Sequence, residues 1–346
     1  MKINKKEKTY FIADLAANHD GCLRRAKKLI KLAHDAGAQA VKFQHFSAEK
    51  LVSDKGFKSI ADKSHQNNWK KSVYEVYDDA SIPLSWTKEL KEYCDKIGTT
   101  FFSSPYGIDM VDHLAPYVPA WKIGSGDLNY HEQLTAVAQT GKPILLATGA
   151  STIEEVVDAM ETLQKETDKI VLMQCNTNYT GNDENFDHIN LNVLKTYESL
   201  FPDVVLGLSD HTPGNETVLG AVALGAKYIE KHFTDDNNRE GPDHPFSMNP
   251  ATWRQMVDST RILERSMGTC LKRVCANERQ TVILQRRALR ATRDIVTGET
   301  LNRDMFVFTR PCPADALDIN HYLYGIVLKR DIHRDEYLKK EHLDEL

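Results

Sequence analysis

The chain has 346 residues, 41% of them hydrophobic and 27% charged, with a formal net charge of −5. That length suits a large α/β domain with a small companion. The acidic balance excludes an extended nucleic-acid footprint, and the apolar runs are all far shorter than the roughly 20 residues of a membrane span.

The opening MKINKKEKTYFIADL is basic and then briefly apolar. It has neither a long apolar core nor a small-residue cleavage site, so a secretory leader is not expected. Strand-like runs rich in β-branched and aromatic residues then recur at 9–16, 39–44, 99–104, 120–124, 143–148, 169–174, 204–209 and 227–233. Helical patterns fill the intervals. CLRRAKKLIKLAHDAG sets Ala26, Leu29, Ile30 and Ala33 on one face and stops at Gly37. TIEEVVDAMETLQKE opens on Ser151 or Thr152 as its N-cap, with Glu154 and Glu155 in the first turn. Eight strands alternating with helices predict a (β/α)8 TIM barrel, with a doubly wound open sheet as runner-up. Residues 46–82 are long and polar for a connection between strand and helix, a length that marks a functional segment.

The rhythm changes near residue 268. RRALRATRDIVTGETL, FVFTRP and YGIVLKRDIHRDEYL read as short strands with turn signals such as Val296-Thr297-Gly298. The expected organisation is a barrel over 1–269, a linker over 270–285 and a small β-rich domain over 286–346. Cys22, Cys94, Cys175, Cys270, Cys275 and Cys312 are scattered without a CxxC pair. They read as reduced thiols of a cytoplasmic protein.

In a barrel of this kind the active site lies at the C-terminal ends of the strands. Those ends here are polar throughout. They read Asp14, Lys42-Phe43-Gln44, Ser103-Ser104, Lys122 with Gly124-Ser125-Gly126, Ala147-Thr148-Gly149, Asn176-Thr177-Asn178-Tyr179, Ser209-Asp210-His211 and Glu230-Lys231-His232. The strand period of two points Lys42 with Gln44, Ser209 with His211 and Glu230 with His232. A single histidine at a strand end reads as a hydrogen-bonded surface residue, but two on neighbouring strands can share one ion. A lysine within an apolar strand is costly unless an anion meets it. Two such lysines beside serines and a glycine-rich turn suggest a phosphate or carboxylate site.

The motifs Asn18-His-Asp-Gly, Val41-Lys-Phe-Gln, Phe102-Ser-Ser-Pro-Tyr, Trp121-Lys-Ile-Gly-Ser-Gly-Asp, Gly207-Leu-Ser-Asp-His-Thr, Glu230-Lys-His-Phe-Thr and Gly241-Pro-Asp-His-Pro-Phe-Ser-Met run in order along the chain. Together they resemble the sialic acid synthase (N-acetylneuraminate synthase) family. Arg287-Ala-Leu-Arg-Ala and Asp294-Ile-Val-Thr-Gly-Glu resemble its C-terminal SAF (antifreeze-like) domain. The resemblance implies condensation of phosphoenolpyruvate with the aldehyde of an N-acylated hexosamine, N-acetylmannosamine or a related diacetamido sugar. The product is a nine-carbon 2-keto sugar acid, with phosphate released. It implies a divalent metal, manganese first and magnesium or cobalt as alternatives, held by His211 and His232, which would polarise the aldehyde. Lys42, Lys122, Ser104, Ser125 and Ser209 would hold phosphoenolpyruvate. Gln44, Thr177, Tyr179 and Asp243 would meet the sugar. Asp14, at the barrel mouth, would orient or deprotonate water and complete a catalytic set with Lys42, Lys122 and Arg310. Arg310 would arrive from the partner subunit of a domain-swapped homodimer.

Four positions depart from the family pattern. Asp14 stands for a glutamate, Ala147 for a serine, Thr177 for an asparagine, and Cys312-Pro-Ala-Asp for glycines after Pro311. Two other expectations stay open: a phosphoenolpyruvate-dependent synthase of a non-sialic polysaccharide sugar, and a non-catalytic sugar-phosphate-binding protein.

Overall fold

A computed structural model describes residues 3–317 and 325–343. It divides into two compact units, Met1–Gly268 and Thr269–Leu346. The first is built on eight strands: β1 (Tyr10–Asp14), β2 (Ala40–His45), β3 (Thr100–Pro105), β4 (Trp121–Ile123), β5 (Ile144–Ala147), β6 (Ile170–Cys175), β7 (Val205–Asp210) and β8 (Tyr228–His232). The ladders joining them are parallel, in the order β3-β2-β1-β8-β7-β6-β5-β4. The two end strands, β3 and β4, pack side by side. The order steps one strand at a time with no reversal, so the open doubly wound alternative falls and a near-closed TIM-like barrel stands.

Local sequence accounts for the connections. Helix Leu23–Asp35 buries Ala26, Leu29, Ile30 and Ala33, and the chain leaves it through Gly37 at φ +103°. A Cβ on Gly37 would press on Arg254 and Val257 as well as strain that φ. Helix Ile153–Gln164 starts at Thr152, whose hydroxyl accepts from the Glu155 amide, while the Glu155 carboxylate accepts from the Thr152 amide. That reciprocal box satisfies two otherwise orphaned donors.

Two apolar layers flank the strands. Phe11, Ala13, Val41, Phe43, Phe101, Trp121 and Ile123 face the helices. Ile12, Ala40, Phe102, Leu145, Val171, Met173 and Val205 plug the interior. Side chains alternate along a strand. The inward position following each plug residue is therefore fixed by parity: Asp14 after Ile12, Lys42 after Ala40, Ser104 after Phe102, Cys175 after Met173. The plug closes the barrel below and leaves these side chains ringed at its C-terminal end.

In the second unit, β9 (Ala288–Ala291) and β10 (Phe306–Thr309) pair antiparallel. Leu289, Ile295, Leu301, Phe306, Leu328, Ile332 and Leu338 bury a small core of their own. The segment YGIVLKRDIHRDEYL is not a third strand where it is described. It meets its neighbours through single bridges, Thr300 with Val327, Ile295 with Ile332 and Arg290 with Tyr337. Turns around Gly325 and Asp335, both at positive φ, break the extended run. The stretch read as a linker carries a 3₁₀ turn at Ala276–Glu278 and a helix at Arg279–Gln285. Arg293 pairs with Glu299, and Arg290 donates to two backbone carbonyls, so the basic cluster partly braces this unit.

Candidate active site

Ladder register brings distant sequence positions together. Asp14 is aligned with Lys42 on one side and His232 on the other. Gln44 is aligned with Ser104, Cys175 with Ser209, and Ser209 with Glu230. All of these side chains point inward at one end of the barrel, and most are almost wholly buried.

At the centre lies a four-charge cluster. Lys42 Nζ sits 2.8 Å from Asp14 Oδ2 and 3.2 Å from Glu230 Oε1. Lys122 Nζ sits 3.3 Å from the same Glu230 oxygen. Ser209 Oγ donates to Glu230 Oε1 at 3.3 Å, and Lys42 reaches Ser104 Oγ at 3.4 Å. Gln44 donates to Asp14 Oδ2 at 3.1 Å. Burial raises the Asp14 carboxyl, but Lys42, His232 and Lys122 outweigh it and hold it at about 2. Burial pulls Lys42 down, and Asp14 with Glu230 reverses this and raises it. Lys122 has less help. Burial dominates there and its ammonium falls below the usual lysine value, with Glu230 opposing and Lys42 adding to the fall. Glu230 Oε2 is buried without a hydrogen-bond partner among the described residues.

The imidazoles stand beside this cluster, their ring centres 5.3 Å apart. His211 Nδ1 donates to the Asn176 carbonyl at 2.8 Å, which leaves the lone pair on Nε2. His232 Nδ1 has no hydrogen-bond partner among the described residues, and its Nε2 lies 3.5 Å from Asp14 Oδ2. Two imidazoles on neighbouring strands are a donor pair that suits a divalent ion. Among the described residues no group of three or more His, Cys, Asp or Glu is placed to hold a metal ion. The residues immediately before the two histidines, Asp210 and Lys231, point outward and form a buried ion pair at 2.5 Å that also engages Thr212 and Thr217. This pair ties β7 to β8 and fixes the spacing of the histidines. The Tyr179 ring rests 4.4 Å from His211 and 6.2 Å from His232.

Ser125 accepts from the Gly149 amide at 2.8 Å. Thr177 lies against the same glycine: a Cβ there would come within 2.6 Å of the Thr177 methyl, 3.0 Å of Ser125 Oγ and 3.2 Å of Cys175 Sγ. Above the strand ends is a cavity of about 420 Å³ whose walls include Gln44, Ser125, Tyr179, His232 and Asp243. Asp243 is positioned by the Ala17 amide, which donates to its Oδ2 at 3.0 Å. Of the residues singled out in the sequence, all but Arg310 thus gather at one end of the barrel. Arg310 belongs to the second unit, one residue beyond β10, and is exposed there, its Nε donating to the Gln285 carbonyl at 2.7 Å.

Comparison with known proteins shows the family of the chain. Residues 29–272 match the NeuB family model, and residues 286–344 match the SAF domain. The chain belongs to the NeuB family. An uncharacterized protein of Methanocaldococcus jannaschii is 37% identical over 96% of this chain and 93% of that protein. The N,N'-diacetyllegionaminic acid synthase of Campylobacter jejuni is 33% identical over 96% of this chain and its own full length. The crystal structure of N-acetylneuraminic acid synthetase from Leptospira borgpetersenii serovar Hardjo-bovis, in complex with citrate, aligns at a TM-score of 0.70 with 27% identity, covering 80% of this chain and 90% of that one.

Two quoted NeuB motifs turn out to brace the mouth against each other. Asn18 donates to the Phe233 carbonyl and Ser247 Oγ, both at 2.9 Å. Asp20 takes His244 at 2.9 Å and Arg25 at 3.0 Å, and also pairs with Arg239. Two inward residues carried no assigned role in the sequence reading. The sequence places Glu230 on the same side of its strand as His232 and no more. It marks Cys175 only as a reduced thiol. Cys175 sits between His211 and Ser125, where burial raises the thiol but those two neighbours and Lys122 prevail and lower it. Strand parity was the available signal for both. The departures are local. Asp14, though shorter than glutamate, still reaches Lys42 and Gln44, and Ala147 is simply a buried inward methyl at the end of β5.

Proposed function

We infer that this NeuB-family enzyme condenses phosphoenolpyruvate with the open-chain aldehyde of an N-acylated hexosamine. C3 of phosphoenolpyruvate bonds to the aldehyde carbon, water adds at C2, and phosphate departs, giving a 2-keto sugar acid. The observation that carries this reading is the buried ring of two lysines, three serines and two carboxylates beside two imidazoles. Lys42, Lys122, Ser104, Ser125 and Ser209 would bind the phosphate and carboxylate of phosphoenolpyruvate. Gln44, Thr177, Tyr179 and Asp243 would face the sugar. Asp14, held at about 2, is too weak a base in the free protein to take a proton at neutral pH. Its role is to orient water and Lys42.

Charge balance supports a metal at His211 and His232. Two ammonium groups already face two carboxylates, so a polyanion entering this buried site needs further positive charge. A divalent ion, manganese first, would supply it and polarise the aldehyde oxygen as a Lewis acid. The exposed guanidinium of Arg310 suits contact with a partner subunit's sugar in a homodimer. All six cysteines are unpaired, which suits a reducing cytoplasm.

The test is phosphate release from phosphoenolpyruvate on adding an aminosugar. Turnover is expected to vanish in EDTA and return with manganese. Full turnover in chelated, metal-free protein would remove the metal, and release independent of sugar would remove the condensation. A second check is Gly149→Ala. Its Cβ would displace Thr177, Ser125 or Cys175, and a shift of about 1 Å at such a group costs roughly 10²-fold in rate. A near-normal rate would make the Ser125–Gly149 contact dispensable.

A further inference from the structure

Behind the inward-facing ends of β2 and β3 runs a chain of buried polar side chains that the reaction does not use. The strand period that turns Lys42 and Gln44 inward turns Phe43 and His45 outward, and on β3 it turns Ser104 inward and Ser103 outward. His45 Nδ1 lies 2.6 Å from Ser103 Oγ, and its Nε2 lies 2.9 Å from Thr87 Oγ1 on helix Trp86–Ile97. Thr87 Oγ1 lies in turn 2.9 Å from His113 Nε2 on helix Ile108–Leu114. His45, Ser103 and Thr87 are completely buried, and His113 is half-buried.

The direction of every link follows. The Ser103 hydroxyl donates its hydrogen to a carbonyl, Phe43 at 3.0 Å in preference to Ser104 at 3.5 Å. Toward His45 it can therefore only accept, so Nδ1 carries the imidazole hydrogen. Burial, with His113 and His19 adding to it, holds His45 at about 3. The ring is neutral, and its Nε2 accepts from the Thr87 hydroxyl, whose oxygen accepts from His113 Nε2. The chain thus points one way, from His113 to the Phe43 carbonyl. A backbone carbonyl has no proton to hand on, so the chain is a brace and not a proton wire.

The brace ends on the backbone of the site. Phe43 stands between Lys42 and Gln44, and Ser103 precedes Ser104. Gln44 is aligned with Ser104 and His45 with Pro105 on the last rungs of the ladder, and the His45 carbonyl accepts from the Tyr106 amide at 3.0 Å. The outward pair Asp210–Lys231 plays the corresponding part between β7 and β8. We propose that His45 is a positioning residue, which through Ser103 and the Phe43 carbonyl sets the depth and direction of Ser104 and Gln44 at the barrel mouth. This rests on the placement of phosphoenolpyruvate at Ser104 inferred above, and the test separates the two.

Binding of phosphoenolpyruvate to the full-length protein with manganese is measured by calorimetry without sugar, beside sugar-dependent phosphate release. His45→Phe fills the ring's space and removes both nitrogens. Affinity should fall at least about tenfold, the scale of one hydrogen bond to a charged group. His45→Asn sets an amide N–H at the same remove from Cβ as Nδ1–H, keeps the donor to Ser103, and should recover most of the loss. Thr87→Val leaves the imidazole in place and serves where His45→Phe does not fold; it should weaken binding in the same direction. In a Ser104→Ala background either change should cost little further affinity, because residues acting through one contact do not add. A purely structural role would lower the urea midpoint and leave the affinity of the folded protein parental. Parental affinity in His45→Phe, or in Thr87→Val where His45→Phe does not fold, would overturn the inference. No recovery in His45→Asn, or a full additional loss in the Ser104→Ala background, would overturn it too. The expected pattern without sugar-dependent phosphate release would uphold it and sink the condensation. A parent protein that does not bind phosphoenolpyruvate would overturn both.

Discussion

Glu230→Gln is expected to lower turnover by at least roughly 10³-fold and to destabilise the barrel by about 3–5 kcal/mol, the cost of breaking one partner out of a buried ion pair. The substitution keeps the shape and the Ser209 contact but removes the charge. Lys42 keeps Asp14 at 2.8 Å, whereas Lys122 loses the carboxylate at 3.3 Å. Burial already depresses the Lys122 ammonium with Glu230 opposing it, so without Glu230 its affinity for a proton falls further. The variant's activity should therefore be lost at lower pH than in the parent wherever a protonated Lys122 is needed. Adding Lys122→Met should return much of the stability, measured by urea unfolding, without returning activity. That pattern distinguishes an unpaired buried charge from a general packing defect. Near-parental turnover and stability in Glu230→Gln would reduce the carboxylate to an incidental neighbour.

The barrel was legible in the sequence because its strands are short apolar runs at regular spacing and its helices carry recognisable caps and stops. Parity along those strands also gave the inward direction of Lys42, Gln44, Ser209 and His211. What parity does not give is which neighbour each residue meets. For Glu230 the sequence gives a strand-end position facing the same way as His232, and no partner. Only the alignment of Ser209 with Glu230, and of Asp14 with both Lys42 and His232, turns it into the hub of the cluster. Lys231, on the face opposite Glu230 and His232, points outward to Asp210 and holds two strands together. The rings that segment 46–82 adds to the cavity wall were hidden for a different reason. Segment 46–82 makes helices too short for a clear period, and its rings come together through contacts with Tyr106 and Tyr179, far along the chain. In the second unit the alternation of YGIVLKRDIHRDEYL suggested a strand, but turns at Gly325 and Asp335 leave only isolated bridges.

Asp14→Asn is expected to lower turnover by roughly 10²–10³-fold, the scale of removing one preorganised electrostatic contact, with Asp14→Glu milder. The parent carboxyl titrates near 2, below its ordinary 3.8, so the stability it contributes is present above about pH 4 and is lost as pH falls toward 2. The acid limb of the rate profile should consequently be unchanged in Asp14→Glu, and a moved limb would make Asp14 a titrating base after all. The same variant tests the subunit arrangement. If Arg310 completes the neighbouring barrel, Asp14→Asn and Arg310→Ala damage different halves of each active site. Subunit exchange between the two proteins then gives heterodimers with one intact site and one doubly damaged site. With random mixing about half the dimers are mixed and half their sites work, so activity should climb from near zero toward about a quarter of the parental value. An absence of recovery, with exchange shown independently by mass-tagged subunits, would mean that both side chains serve a single chain's barrel or that Arg310 serves none.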